Sequence, residues 1–297
     1  MTPPQLSQYL SDDALRCLVS AARREDLGPD GVDVTCRAMG DAMHRQTMGV
    51  MRSRVPGRVA GLAATAVIAE VFDAAVTLET CVSDGSAIDA GAPMVVLRGP
   101  VCGLLGMERV ALNFITHLSG IATLTARFVD AVADTQAVIC DTRKTLPGLR
   151  ALEKYAVACG GGVNHRLGLH DAVMIKDNHL ASLSASRWDA ELRELIVAAR
   201  HVDPAPAFVQ VEVDTLEQLR TVLNCGPDML LLDNMDPRAL SQAVAMRDDA
   251  APNVLLEASG GVTLDTVRAI ALSGVDRISV GAVTMSAPAL DIGLDMQ

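Results

Sequence analysis

From residue 137 onward the chain repeats one pattern six times: a short run of Ala, Val, Ile, Leu or Met that ends in polar or charged residues. The runs are 137–140, 172–175, 208–211, 229–232, 254–256 and 277–280, and helical periods are expected between them at 149–159, 187–201, 216–224, 237–246 and 264–273. Strands that alternate with helices at this spacing form a parallel sheet, because parallel neighbours need a long crossover. In a closed α/β barrel every strand's carboxyl end opens on one mouth. An open doubly wound sheet instead binds at a switch point beside an early Gly-rich loop. Here each run ends in polar residues, and the Gly-rich steps, Ser259-Gly260-Gly261 and Gly281, come late. The barrel is the favoured reading.

The first third is organised differently. Ser11 can cap a helix running to about Arg24, and Arg24–Gly28 with Asp33 and Thr35 reads as a loop. A strand, a turn at Pro56-Gly57 and a second strand are expected over 46–60, then a short helix at 63–72 and strands at 76–81 and 94–97. This is a small α+β unit. Its DG and GAP turns also occur in biotinyl and lipoyl carrier domains, but no lysine lies between residues 46 and 143 to be modified. From Val101 a helix is expected to Leu118, with a pause at Ser119-Gly120 and a resumption from Ile121 to Ala133 as a bridge.

Half of the 297 residues are hydrophobic but only 2% are aromatic, so the core must rest on aliphatic side chains. A formal net charge of -11 excludes a general nucleic-acid or anionic-membrane surface, which would need excess Lys and Arg. No run reaches the ~20 apolar residues of a membrane span, and MTPPQLSQYLSDD lacks the features of a signal peptide. A soluble, cytoplasmic protein is expected. The seven cysteines are scattered without CxxC spacing and read as buried, reduced thiols.

Against this acidic background, Cys140–His179 concentrates Arg143, Lys144, Arg166 and Lys176 with His165 among glycines. Thr142, Arg143 and Lys144 stand just past one strand and Lys176 just past the next. Four cations at one mouth repel one another unless an anion joins them, so a ligand with several negative charges is expected. Glu212 and Asp233 follow two other strands, and suit ribose hydroxyls or a divalent metal that accompanies phosphates. Other charges have plainer readings. Arg150 and Lys154 read as solvated helix charges, Glu257 as a salt-bridge partner, Gly160–Gly162 as a helix stop, and His44, His170 and His201 as surface or turn residues, with His179 ambiguous. A Schiff-base aldolase using Lys144 or Lys176 remains the alternative on this reading.

Several long segments resemble the quinolinate phosphoribosyltransferase family. They are REDLGPDGVDVT (24–35), GRVAG (57–61), MERVALNFITHLSGIATLT (107–125), DTRKTLPGLR (141–150), CGGGVNHRLGLHDAVMIKDNH (159–179), LLLDNM (230–235), LEASGGVT (256–263) and ISVGAVTMSAPALDIGLDM (278–296). The resemblance implies a type II phosphoribosyltransferase fold: an N-terminal α/β sandwich over 1–118, an incomplete α/β barrel over 119–285, and a segment, 286–297, returning to the first domain. It implies transfer of phosphoribosyl from 5-phosphoribosyl 1-diphosphate to quinolinate with decarboxylation, giving nicotinate mononucleotide for NAD synthesis.

By the same resemblance Arg143, His165, Arg166 and Lys176 would hold the quinolinate carboxylates, with Arg109 supplied by a neighbouring subunit and Thr142 beside them. Lys144 would lie near the diphosphate, and Glu212 and Asp233 would hold the ribose and the Mg²⁺-bearing donor. Ser259, Gly260, Gly261, Val280, Gly281 and Ala282 would bind the 5-phosphate. A homodimer, or a hexamer built as a trimer of dimers, is implied. Ser86, His170 and Met285 depart from the usual pattern without falling on an expected ligand. A related branch associated with molybdate transport shares DTRKT, but the NHRLGL, IKDNH and LEASGG segments favour the quinolinate branch.

Overall fold

The computed structural model describes residues 4–181, 183 and 187–297. The stretch read as lacking a signal peptide begins in residues 1–3, which lie outside the described residues. Packing divides the chain into two units. One holds residues up to Ala126 with Pro147–Gly161 and Ala287–Gln297; the other holds Arg127–Leu146 and Gly162–Ser286.

The first unit is built on a four-stranded antiparallel sheet in the order Ile292–Met296, Gln46–Ser53, Pro93–Pro100, Thr77–Thr80. The final strand lies along the first in register, Gly49 opposite Met296 and Ser53 opposite Ile292. Helix Asp12–Leu27, in which the Ser11 hydroxyl accepts from the Ala14 N–H as N-cap, packs on helix Leu62–Phe72. Three expectations are corrected. Gly57–Arg58 pairs with Ala87–Ile88, not with the strand before it, so Pro56-Gly57 does not close a hairpin. Val34–Met39 is a short helix because the Asp33 carboxylate accepts from the N–H groups of Thr35 and Cys36. Lys154 is fully buried within this unit, as is Glu153, whose carboxylate meets His117 at 3.0 Å.

The expected pause at Ser119-Gly120 does not occur either. Val101–Ala131 is one continuous helix. The two residues that looked like a break are a contact point. The Ser119 hydroxyl exchanges hydrogen bonds with the backbone N–H and C=O of Ala60, each 3.1 Å, and Gly120 lies against the backbone of Pro288 and Ala289. Tertiary packing outweighs the ~1 kcal/mol by which glycine disfavours a helix interior.

The second unit carries a six-stranded parallel sheet in the order Val138–Cys140, Arg277–Ser279, Leu255–Ser259, Met229–Asp233, Val209–Val213, Val173–Ile175. Read from its second member this is the reverse of chain order, and its two edges are the first and second strands in sequence. That is the cyclic order of an α/β barrel left unpaired at one seam. Val163 forms a single parallel bridge to Cys140 at the edge, which carries His165 and Arg166 into the strand-end region. The intervening helices occur where their periodicity places them, at Trp188–Ala199, Leu216–Leu223, Pro237–Ala250 and Val267–Ala271. All seven cysteines are free, although Cys17 and Cys81 are exposed and not buried as expected. Among the described residues no helix is long and apolar enough to cross a membrane.

Adding a methyl group at Gly120 would drive it into the Pro288 carbonyl. Gly120→Ala is therefore expected to lower unfolding free energy by about 1–3 kcal/mol, read by chemical denaturation, whereas Gly106→Ala on the same helix, where nothing lies within 4 Å, should be neutral or stabilising.

Candidate active site

A side chain that points inward at a strand's end is followed, two residues back, by another on the same face. Glu212, Asp233, Ser259 and Ser279 therefore form an upper layer at the carboxyl ends of four neighbouring strands, and Gln210, Leu231, Glu257 and Arg277 form the layer beneath. Above them a cavity of about 400 Å³ is lined by Thr142, Arg143, Lys144, His165, Arg166 and Lys176 together with Glu212, Asp233, Ser259 and Ser279. Met174 and Leu231 supply its apolar wall. Ten residues that the sequence marked at six separate strand ends and a loop, or their immediate neighbours, thus share one chamber of a size suited to small-molecule ligands.

Three of the four cationic residues are held by local devices. The Thr142 hydroxyl accepts from the Lys144 N–H at 3.0 Å, and the Lys144 carbonyl accepts from the Thr284 hydroxyl at 2.5 Å. Gly281 lets the Lys144 stem pass, since a Cβ there would stand 3.1 Å from Cδ. Lys176 donates to Glu212 at 2.5 Å. Arg166 is only 8% exposed and donates to the Ala172 carbonyl at 3.1 Å. Its loop is closed by Asp171, whose carboxylate accepts from the N–H groups of Leu167 and Gly168. Burial, and then the like charge of Arg143, hold the Arg166 guanidinium below its ordinary pKa. It remains a cation, but one whose charged form is disfavoured until an anion arrives.

The carboxylate side is equally fixed. Asn234 occupies a left-handed conformation, φ 54°, and donates through its side-chain amide to Asp233 at 2.7 Å. Gly260, φ 98°, packs directly against that same amide, so no other residue fits there. Gly281 and Gly260 thus serve packing of site side chains on this geometry.

A broader depression beside the site shares Glu212 but is otherwise lined by residues such as Asp177, Trp188, Asp214 and Glu217, with no Lys or Arg among its described lining. It would repel the ligand that the first cavity attracts.

Residues 33–119 match the model of the quinolinate phosphoribosyl transferase N-terminal domain, and residues 121–295 that of its C-terminal domain. The chain belongs to the quinolinate phosphoribosyltransferase family. It is 47% identical over 286 residues to the nicotinate-nucleotide pyrophosphorylase (carboxylating) of Mycobacterium leprae, covering 96% of this chain and 98% of that one. Its fold is similar to the nicotinate-nucleotide pyrophosphorylase structure from Francisella tularensis, with TM-score 0.88, 33% identity and 100% of both chains covered. It is likewise similar to that from Ehrlichia chaffeensis, with TM-score 0.85 and 36% identity over 97% of this chain and 99% of that one.

Of the other residues named from family resemblance, Gly260 and Gly261 follow Ser259, Val280, Gly281 and Ala282 follow Ser279, and Arg109 lies exposed on the long helix of the first unit. His165 reaches the cavity wall at 7% exposure, yet both of its ring nitrogens are already engaged: Nδ1 by the Arg166 N–H at 2.7 Å, Nε2 by Gln210 Oε1 at 2.9 Å. Sequence reading missed Asn234, Thr284, Gln210 and Arg277. For the last two a signal existed, a polar residue two positions before a site residue in an otherwise apolar strand.

The crowding of cations around one cavity predicts that diphosphate stabilises the fold. At a hundredfold excess over its Kd the gain should be about 2.7 kcal/mol, read as a rise in melting temperature, and Lys144→Gln or Arg143→Gln should remove most of it. An equal rise from sodium chloride at matched ionic strength would mean simple screening instead.

Proposed function

We propose that this protein is a quinolinate phosphoribosyltransferase of NAD biosynthesis. It transfers phosphoribosyl from 5-phosphoribosyl 1-diphosphate to quinolinate, releasing diphosphate and carbon dioxide to give nicotinate mononucleotide. The observation that carries the reading is one cavity in which Arg143, Lys144, Arg166 and Lys176 stand opposite Glu212 and Asp233. Quinolinate presents two carboxylates to the cations and the donor presents its phosphates. An aldolase would need a desolvated amine as nucleophile, whereas Lys176 is engaged by Glu212.

Departure of diphosphate leaves positive charge on the ribose, which Glu212 and Asp233 can stabilise from the strand ends. Lys144 and Arg143 take up the negative charge of the leaving group, and Arg166 and Lys176 orient the two ring carboxylates so that the pyridine nitrogen faces the ribose carbon. Once the ring nitrogen is alkylated its positive charge stabilises the carbanion left on the adjacent ring carbon when that carboxylate departs as carbon dioxide, and a proton from solvent then completes nicotinate mononucleotide. Ser259 and the Gly260-Gly261 turn, with Val280, Gly281 and Ala282, suit the 5-phosphate through backbone N–H groups.

Among the described residues no group of three or more His, Cys, Asp or Glu could hold a metal by itself. Glu212 and Asp233 fit Mg²⁺ brought by the donor, since that ion is usually held by one or two carboxylates plus substrate oxygens. When bound it would neutralise charge on the diphosphate. The acidic chain without a membrane-crossing helix among its described residues fits a cytoplasmic enzyme.

Purified protein with quinolinate, the donor and Mg²⁺ should form nicotinate mononucleotide, and nicotinate in place of quinolinate should not react. Lys144→Ala and Arg166→Ala should each fold normally and lower kcat/KM on the order of 10²-fold or more. Full activity in both variants would refute the site assignment.

The site is shared between two copies of this chain, Arg109 serving the cavity of its neighbour in an isologous dimer. Arg109→Ala and Lys144→Ala should then each be nearly inactive alone. Mixing them with subunit exchange should restore about a quarter of wild-type activity, one intact site in half of the dimers. No recovery under conditions shown to exchange subunits would place Arg109 outside the site.

A further inference from the structure

Beneath the cavity lies a polar layer that a barrel core would not ordinarily contain. Gln210 and Glu257 are fully buried on the same face of the sheet, with one strand between them, and Arg277 donates through Nε to Glu257 Oε2 at 2.9 Å. Glu257 Oε1 stands 3.3 Å from His165 Nε2, next to the 2.9 Å contact of that nitrogen with Gln210 Oε1. Burial would raise the Glu257 carboxyl, but the donors His165 and Arg277 hold it below the ordinary range, and the ion pair with Arg277 at 2.9 Å keeps it a carboxylate. Buried ion pairs of this kind are not required for stability, and an apolar layer would serve a barrel as well.

The hydrogen bonds have a direction. The Arg166 N–H donates to His165 Nδ1 at 2.7 Å, so Nδ1 carries no proton and the ring's proton sits on Nε2. Two groups could receive that proton. Gln210 is an amide, which can rotate to present either oxygen or nitrogen. Glu257 is a carboxylate, which can only accept, and Arg277 anchors its other oxygen. The direction is therefore fixed at both ends: Arg277 donates to Glu257 Oε2, the Arg166 N–H donates to His165 Nδ1, and His165 Nε2–H donates to Gln210 Oε1 at 2.9 Å, with the otherwise unpartnered Glu257 Oε1 3.3 Å from the same nitrogen to keep it a donor.

We propose that Glu257 is a positioning residue for the quinolinate site, acting through a neutral His165 held as its Nε2–H tautomer to fix the backbone, and hence the guanidinium, of Arg166. His165 is then not itself a ligand of the substrate carboxylate, because neither ring nitrogen is available to it. The proposal rests on the reading of Arg166 as a carboxylate-binding residue. Losing one buried hydrogen bond of such a chain leaves a partner unsatisfied, and the consequence should appear in quinolinate binding while the phosphoribosyl donor, held by other strands, is unaffected.

Nitrogen-15 NMR of histidine-labelled wild-type protein, with His165 assigned by its absence in His165→Asn, tests the tautomer without any folding risk to Glu257. An unprotonated Nδ1 and a protonated Nε2 at neutral pH are expected; an Nδ1–H ring or an imidazolium overturns the proposal. In Glu257→Gln, Arg277 claims the amide oxygen and the NH₂ faces the ring. The quinolinate Kd by calorimetry should then rise about tenfold, with the donor Kd and the saturated kcat nearly unchanged. Unchanged quinolinate affinity, or equal weakening of both ligands, overturns it.

Should Glu257→Gln fail to fold, His165→Asn and His165→Leu decide the matter. The Asn carboxamide oxygen can still accept the Arg166 N–H, so it should retain quinolinate affinity that Leu loses. Equal loss in both would make His165 a direct ligand and overturn the positioning role. Arg166→Gln separates the two layers of inference: if it binds quinolinate like wild type, the carboxylate reading has failed, even while the wild-type His165 signature remains as expected.

Discussion

Like charge held in one place is what the rest of this molecule is arranged to sustain. Arg143, Lys144, Arg166 and Lys176 line a cavity of about 400 Å³, and of these Arg166 is almost wholly buried. Nothing in a chain of net charge -11 requires them to gather there. Their gathering is enforced by the parallel sheet, whose strands all deliver their carboxyl ends to one side. Two of the four head groups are tied down, Lys176 by the Glu212 carboxylate and Arg166 by the Ala172 carbonyl, while the Lys144 backbone is fixed by the Thr142 and Thr284 hydroxyls. Preorganised charge of this sort is what makes a site bind anions more strongly than flexible surface lysines could.

The seam in the sheet follows from the same requirement. Between the first and second strands the chain leaves the second unit for the helix Arg150–Cys159 and returns at Gly162, so those two strands remain unpaired edges. The space along the first edge is taken by Val163, and the chain beyond it presents His165 and Arg166 to the cavity. A closed ring would have left no room for that loop. Two of the site's residues therefore depend on the barrel being incomplete.

Much of this was legible because the barrel's two periodicities are strong. Apolar runs ended within two residues of the observed strand ends, except that the strand begun at 254–256 extends to Ser259. Polar residues at their ends converged as expected. What failed did so where tertiary contact overrode a local signal. Ser119-Gly120 looks like a break in any window of sequence, and only the neighbouring Ala60 and Pro288 backbones make it a contact point within a continuous helix. Lys154 sits on a helix with charged neighbours, yet that helix is enclosed by its unit. The Asp33 cap was overlooked because a six-residue helix has no periodicity to announce it.

Glu257 shows how a plain reading can be true and insufficient. A lone acid at a strand end suggests a salt-bridge partner, and Arg277 does pair with it at 2.9 Å. But its alternate oxygen faces His165, and its place in the strand is two residues before Ser259, directly beneath the cavity. The same step of two relates Gln210 to Glu212 and Arg277 to Ser279. When three of the six strands carry a polar residue in the second layer, the cost of desolvating them is paid at every fold of the chain, and packing alone could have been met by Val, Ile or Leu. The polar layer is best understood as an extension of the site downward: the cavity's cations are aimed by the strands they follow, and one of them, Arg166, is aimed further by a chain of hydrogen bonds that begins at the floor of the barrel.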